Sequence, residues 1–100
     1  MAGGRRDIYL DGSADDRVNC DVVRYGELLF VSGCGPTDER KAVVGGDDVV
    51  MQAEQVLLNL ERVLRRAGGS LADVLHVTIY LTHMDEYPLV RPVRMAAFGQ

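Results

Sequence analysis

The hydrophobic positions of the chain change period along its length. Ala53, Val56, Leu57, Leu60, Val63, Leu64 and Ala67 recur in steps of three and four. That spacing puts all of them on one face of a 3.6-residue helix. Gln52, Gln55, Asn59, Arg62 and Arg66 fall mostly on the other face. Asp47 or Asp48 can cap the start, and Gly68 sits where a left-handed residue ends a helix, with Arg65 and Arg66 against the last carbonyls. The period then becomes two. Leu75, Val77, Ile79 and Leu81 alternate with His76, Thr78, Tyr80 and Thr82, which predicts a half-buried strand.

Upstream, Val18, Cys20 and Val22 alternate with Asn19 and Asp21, and Leu28-Leu29-Phe30-Val31 follows after a turn at Arg24-Tyr25-Gly26-Glu27. This predicts a hairpin whose second strand, apolar on both faces, is central and covered on both sides. Ile8–Leu10 is a short edge-strand candidate. Strand, helix and strand then form a crossover unit, right-handed by default. Near the end, Leu89, Val90, Val93, Ala96, Ala97 and Phe98 predict a second helix. It is expected to start near Leu89, so that Pro92 falls in the first turn.

With 100 residues the chain is a single domain, and 47% hydrophobic content suffices for a core, although a domain this small gains from oligomerisation. The boundaries expected are a lead and polar loop over residues 1–17 and the folded domain over 18–100. A net charge of −4 argues against general binding to nucleic acid or anionic membrane. No stretch approaches the ~20 apolar residues of a membrane helix, and Met1–Leu10 lacks the apolar core of a secretory signal. Cys20 and Cys34 make no CxxC pair and no disulfide framework, and they read as reduced thiols of a cytoplasmic protein.

Candidate chemistry is sparse. Asp11–Arg17 is acidic and turn-rich, but without ligand spacing it reads as a solvated loop. His76 and His83 have no partner at metal-ligand spacing. Cys34 and Ser32 have no identifiable base, so neither is set up as a nucleophile. The feature of interest is Ser32-Gly33-Cys34-Gly35-Pro36, where glycines and a proline stop a strand and expose backbone groups beside a hydroxyl. Its GxG lacks the later glycine and lysine of a phosphate-binding loop.

Taken together, Gly26–Gly33 with Pro36, Gln52–Leu60, Ala67-Gly68, Ser70–Val74 and Tyr80–Thr82 resemble the Rid family, also called YjgF/YER057c/UK114. The resemblance covers about Val18 to Gly99 and implies a chorismate-mutase-like α+β fold, a mixed sheet packed by two helices. It also implies a homotrimer with a central barrel and ligand clefts between subunits. The implied reaction is hydrolysis of 2-imino or enamine acids, such as 2-iminopropanoate and 2-iminobutanoate, to 2-oxo acids and ammonia, with no metal or organic cofactor. Rivals are a non-catalytic module that binds a small carboxylate and, from a label the family has also carried (endoribonuclease L-PSP), RNA cleavage or translation inhibition.

Carried over by position, Ser32 and Gly33 match the family's cleft serine and glycine, and Asn19 falls where a cleft tyrosine is usual. Arg91 stands where many members have asparagine, and Arg94 where many have tyrosine. The carboxylate-binding arginine and the water-positioning glutamate belong to two final family strands expected beyond Gln100. Arg24, Arg91 and Arg94 match neither by motif, so the catalytic residues stay unassigned.

Overall fold

The computed structural model describes residues 6–9 and 22–99; Met1–Arg5, residues 10–21 and Gln100 lie outside the described part. The loop at Asp11–Arg17, the first part of the hairpin strand and the candidate Asn19 therefore fall outside it. Three strands, β1 (Arg6–Tyr9), β2 (Val22–Tyr25) and β3 (Leu28–Val31), form an antiparallel sheet in chain order. Two helices follow, α1 (Val49–Arg66) and α2 (Tyr87–Phe98), and they pack on each other. The class is α+β, as expected.

The return strand Leu28–Val31 lies where the pattern predicts it, but the turn is narrower than expected. Arg24 and Tyr25 belong to β2, and the turn is the two residues Gly26-Glu27, closing on the pair Tyr25↔Leu28. Gly26 has φ +63°. Glycine at the first central position of a two-residue loop gives the chain a turn that suits the twist of the flanking strands. Register then sorts the side chains. Val22↔Val31 and Arg24↔Leu29 share the face toward α1, and Val23↔Phe30 and Tyr25↔Leu28 share the opposite face. The inner face carries the core, where Val22, Val63 and Ala67 are buried with Leu29 and Val31 packed against them. On the outer face Phe30 is 58% and Leu28 52% exposed. The expectation of a central strand covered on both sides is thus corrected. Among the described residues β3 is an edge strand, and helices cover one face only.

Helix α1 follows its sequence signals closely. Asp48 is the N-cap, its Oδ1 accepting from the N–H groups of Val50 at 3.0 Å and Met51 at 3.1 Å. At the other end Gly68 has φ +87°, its N–H donates to the Arg65 carbonyl, and that of Gly69 donates to the Leu64 carbonyl. These two bonds make a Schellman cap. The guanidinium of Arg24 donates to the carbonyl of Ala67, so β2 helps to close the helix it packs under. Asp48→Ala and Gly68→Ala are each expected to cost about 1 kcal/mol, the first by losing a cap and the second by forcing a side chain into left-handed backbone. The two ends are ~27 Å apart by helix rise, so the losses should add in a double variant, as urea unfolding midpoints would show.

Two further expectations are corrected. Residues 74–81 form no strand, and among the described residues no crossover is completed. Leu75 and Tyr80 are 91% exposed there. Alternation specifies which side a strand would bury, but a strand also needs a neighbour for its N–H and C=O groups, and none pairs with it among the described residues. Pro92, expected in the first turn of α2, lies inside it. A 3-10 turn at Met84–Glu86 starts the helix earlier, and Pro88 takes the first-turn place. Pro92 cannot donate to the carbonyl of Pro88, and both prolines are exposed, so that carbonyl can be hydrated.

Candidate functional site

The strand-end segment follows β3 directly. Ser32, Gly33 and Gly35 are exposed, and Cys34 is half-buried with its Sγ 3.8 Å from the Ser32 carbonyl. A Cβ added at Gly33 or Gly35 would meet nothing within 4 Å among the described residues, so the space beside both is open there. The structure thus places Ser32 and Gly33 side by side at an accessible strand end.

What anchors the segment is a residue that the polar pattern assigned to the solvent face. Asn59, in the middle of α1, is only 8% exposed. It sits three residues after Val56 and four before Val63, and so belongs to the inner stripe by spacing. Its Nδ2 donates to the carbonyls of Gly35 at 3.0 Å and Thr37 at 2.8 Å. Its Oδ1 accepts from Gln55 Nε2 at 3.1 Å and, more distantly, from Arg62 Nη2 at 3.5 Å. Both donors and both lone pairs of the amide are therefore used. Gln55 Nε2 also reaches the Thr37 carbonyl at 3.2 Å. On the far side, Val44 N–H donates to the Pro36 carbonyl at 2.9 Å, and Thr37 bridges Val43. The connection after Pro36 is a compact turn, with Asp38 Oδ1 accepting from the N–H groups of Arg40 and Ala42.

Two shallow grooves lie away from Ser32. One, of about 470 Å³, is lined by residues that include Asp38, Arg40, Gln55, Asn59 and Arg62. With Glu39 also in the lining, two acidic and two basic side chains border it, so it carries no net charge to attract an anion. The other, of about 450 Å³, runs along α2 between Tyr87, Pro88, Arg91, Pro92 and Met95. The arginines left unassigned by motif are placed elsewhere: Arg24 on Ala67, Arg94 on the Tyr87 hydroxyl at 3.1 Å, and Arg91 in the α2 groove. His76 is exposed, and His83 Nδ1 lies 3.1 Å from Thr82 Oγ1 and 3.9 Å from Glu86 Oε1. Among the described residues no three His, Cys, Asp or Glu side chains group as metal ligands, and no helix is long and apolar enough to cross a membrane.

The described residues thus form an α+β fold whose glycine-rich strand end is pinned to the helix behind it. The family described as Endoribonuclease L-PSP matches residues 17–100, and the chain belongs to this family, the Rid or YjgF family. A RutC family protein of Pyrococcus horikoshii is 35% identical over 79 residues, 79% of this chain and 63% of that protein. The 3-aminoacrylate deaminase RutC of Acinetobacter baylyi is 38% identical over 79 residues, again 79% of this chain and 63% of that protein. A crystal structure of a YjgF/YER057c/UK114 family member from Mycobacterium tuberculosis superposes with a TM-score of 0.79 at 31% identity, covering 96% of this chain and 76% of that one. The chain thus spans under two thirds of the length of these two curated relatives.

Proposed function

We propose that the chain belongs to a cytoplasmic enamine or imine deaminase that hydrolyses small 2-imino acids, such as 2-iminopropanoate and 2-iminobutanoate, to 2-oxo acids and ammonia. The observation that carries the reading is the likeness to the 3-aminoacrylate deaminase RutC, whose named substrate is an enamine acid. In the reaction water adds to the imine carbon, the C–N bond breaks, and ammonia leaves as the carbonyl forms. The chain's own contribution is at the strand end. The Ser32 hydroxyl and the backbone N–H of Gly33 are hydrogen-bond donors for the substrate's carboxylate, and Asn19 completes the candidate set; the role is orientation by neutral hydrogen-bond donors. We place the working site in a homotrimer assembled through the outer sheet face, a reading supported by the exposure of Leu28 and Phe30.

The test uses the protein as its host produces it, given freshly generated 2-iminobutanoate, with release of ammonia followed. Turnover above the buffer rate, reduced at least about tenfold by Ser32→Ala, a loss of 1.4 kcal/mol or more of transition-state binding, is the expected result. Binding of 2-oxobutanoate without turnover would overturn the enzyme and leave a carboxylate-binding module. RNA cleavage in place of imine hydrolysis would overturn both, and the net charge of −4 counts against it.

A further inference from the structure

Asn59 costs the helix twice over. Asparagine is a poor mid-helix residue, and a buried amide must find partners. A leucine would fill the same inner position without either demand. The partners it has found are not local. Two of its four hydrogen bonds go to the carbonyls of Gly35 and Thr37, 24 and 22 residues away along the chain. Those carbonyls flank Pro36, whose own carbonyl is held from the other side by Val44. The segment leaving β3 is therefore gripped at three successive carbonyls, two of them by one side chain.

We propose that Asn59 is a positioning residue for the strand-end segment Ser32–Thr37. It turns the Gly35 and Thr37 carbonyls toward α1, away from where a carboxylate would have to approach Ser32 and Gly33, and holds the backbone there in one conformation. Gln55 supports it by donating to both Asn59 Oδ1 and the Thr37 carbonyl. The consequence for ligand rests on the deaminase reading; the consequence for the segment does not.

The experiment compares Asn59→Ala with Val63→Ala, a buried core position one turn on. Backbone 15N relaxation reports the segment, and titration with 2-oxobutanoate reports the site. In Asn59→Ala, order parameters over Gly33–Thr37 are expected to fall below ~0.6 while those of α1 stay near ~0.85. The affinity for 2-oxobutanoate is expected to weaken about tenfold, which corresponds to 1.4 kcal/mol. Val63→Ala should loosen no particular segment and leave the affinity within about twofold. Equal behaviour of the two variants would overturn the proposal and leave Asn59 as a core residue only. Should Asn59→Ala not fold, Gln55→Ala decides: selective loosening at Thr37 supports the proposal and unchanged order there overturns it. Failure of the unaltered protein to bind 2-oxobutanoate sinks the deaminase reading, and the relaxation data still decide the positioning.

Discussion

Asn59→Asp is expected to destabilise the fold by about 3–5 kcal/mol at neutral pH, the range for leaving a buried charge without its partner. The substitution keeps the shape and removes both donors. A carboxylate oxygen would then face the Gly35 and Thr37 carbonyls at about the 3.0 and 2.8 Å now spanned by hydrogen bonds. Each deserted carbonyl accounts for about 1–3 kcal/mol. Arg62, whose Nη2 lies 3.5 Å from Asn59 Oδ1, is exposed and offsets little of this. A domain of this size holds about 5–15 kcal/mol in all, so the loss is a large share of it. The pH dependence identifies the cause. Two carbonyls disfavour the ionised form in the folded state, so the new carboxyl holds its proton there to higher pH than in the unfolded chain, where it titrates near about 3.9. The penalty is therefore small below that value, grows as pH rises toward the folded-state pKa, and is constant above it. Urea unfolding of variant and parent at acid and neutral pH measures it, because asparagine itself does not titrate. A pH-independent difference would mean that the new carboxyl has moved into solvent.

Asn59 also marks the boundary of what could be read from the chain alone. The spacing from Ala53 to Ala67, Asp48 before it and Gly68 after it were sufficient for α1, because caps and amphipathic period are local properties. Asn59 occupies the same stripe, but its polarity argued for solvent. Only the three-dimensional approach of Gly35 and Thr37 shows why an amide belongs inside. The strand end itself was visible as Ser32–Pro36, whereas its anchor was not. Residues 75–81 show the converse. Their alternation is plain, yet pairing is a property of a neighbour, and among the described residues they have none. For β3 the sequence showed apolar residues on both faces, which records a demand for cover without naming what meets it. Pro92 was misplaced for a simpler reason: Met84–Glu86 begins the helical path a turn earlier than the apolar spacing suggested.

Phe30→Glu is expected to convert the proposed trimer to monomer, because the exposed outer sheet face is the contact surface proposed for it. An antiparallel sheet with one solvated face carries polar residues there. Here the four outer positions of β2 and β3 are Val23, Tyr25, Leu28 and Phe30 in two cross-strand pairs. Tyr25, Leu28 and Phe30 are 44%, 52% and 58% exposed, and a contiguous apolar patch of that kind marks an interaction surface. Full burial of a phenylalanine is worth about 1.5–3 kcal/mol. Replacing it by a carboxylate forfeits that and adds the cost of an unpaired charge at every interface, so association should weaken by more than about a hundredfold, a change of ~2.7 kcal/mol. The inner face, with Val22, Leu29 and Val31 on α1, is untouched, so the variant should stay folded. Sedimentation velocity at equal concentrations, with circular dichroism for folding, separates assembly from stability. A parent protein that sediments as a monomer would end the trimer proposal. A Phe30→Glu variant that keeps the parent's mass would move the interface elsewhere, and the exposed Leu75 and Tyr80 would be the next residues to change.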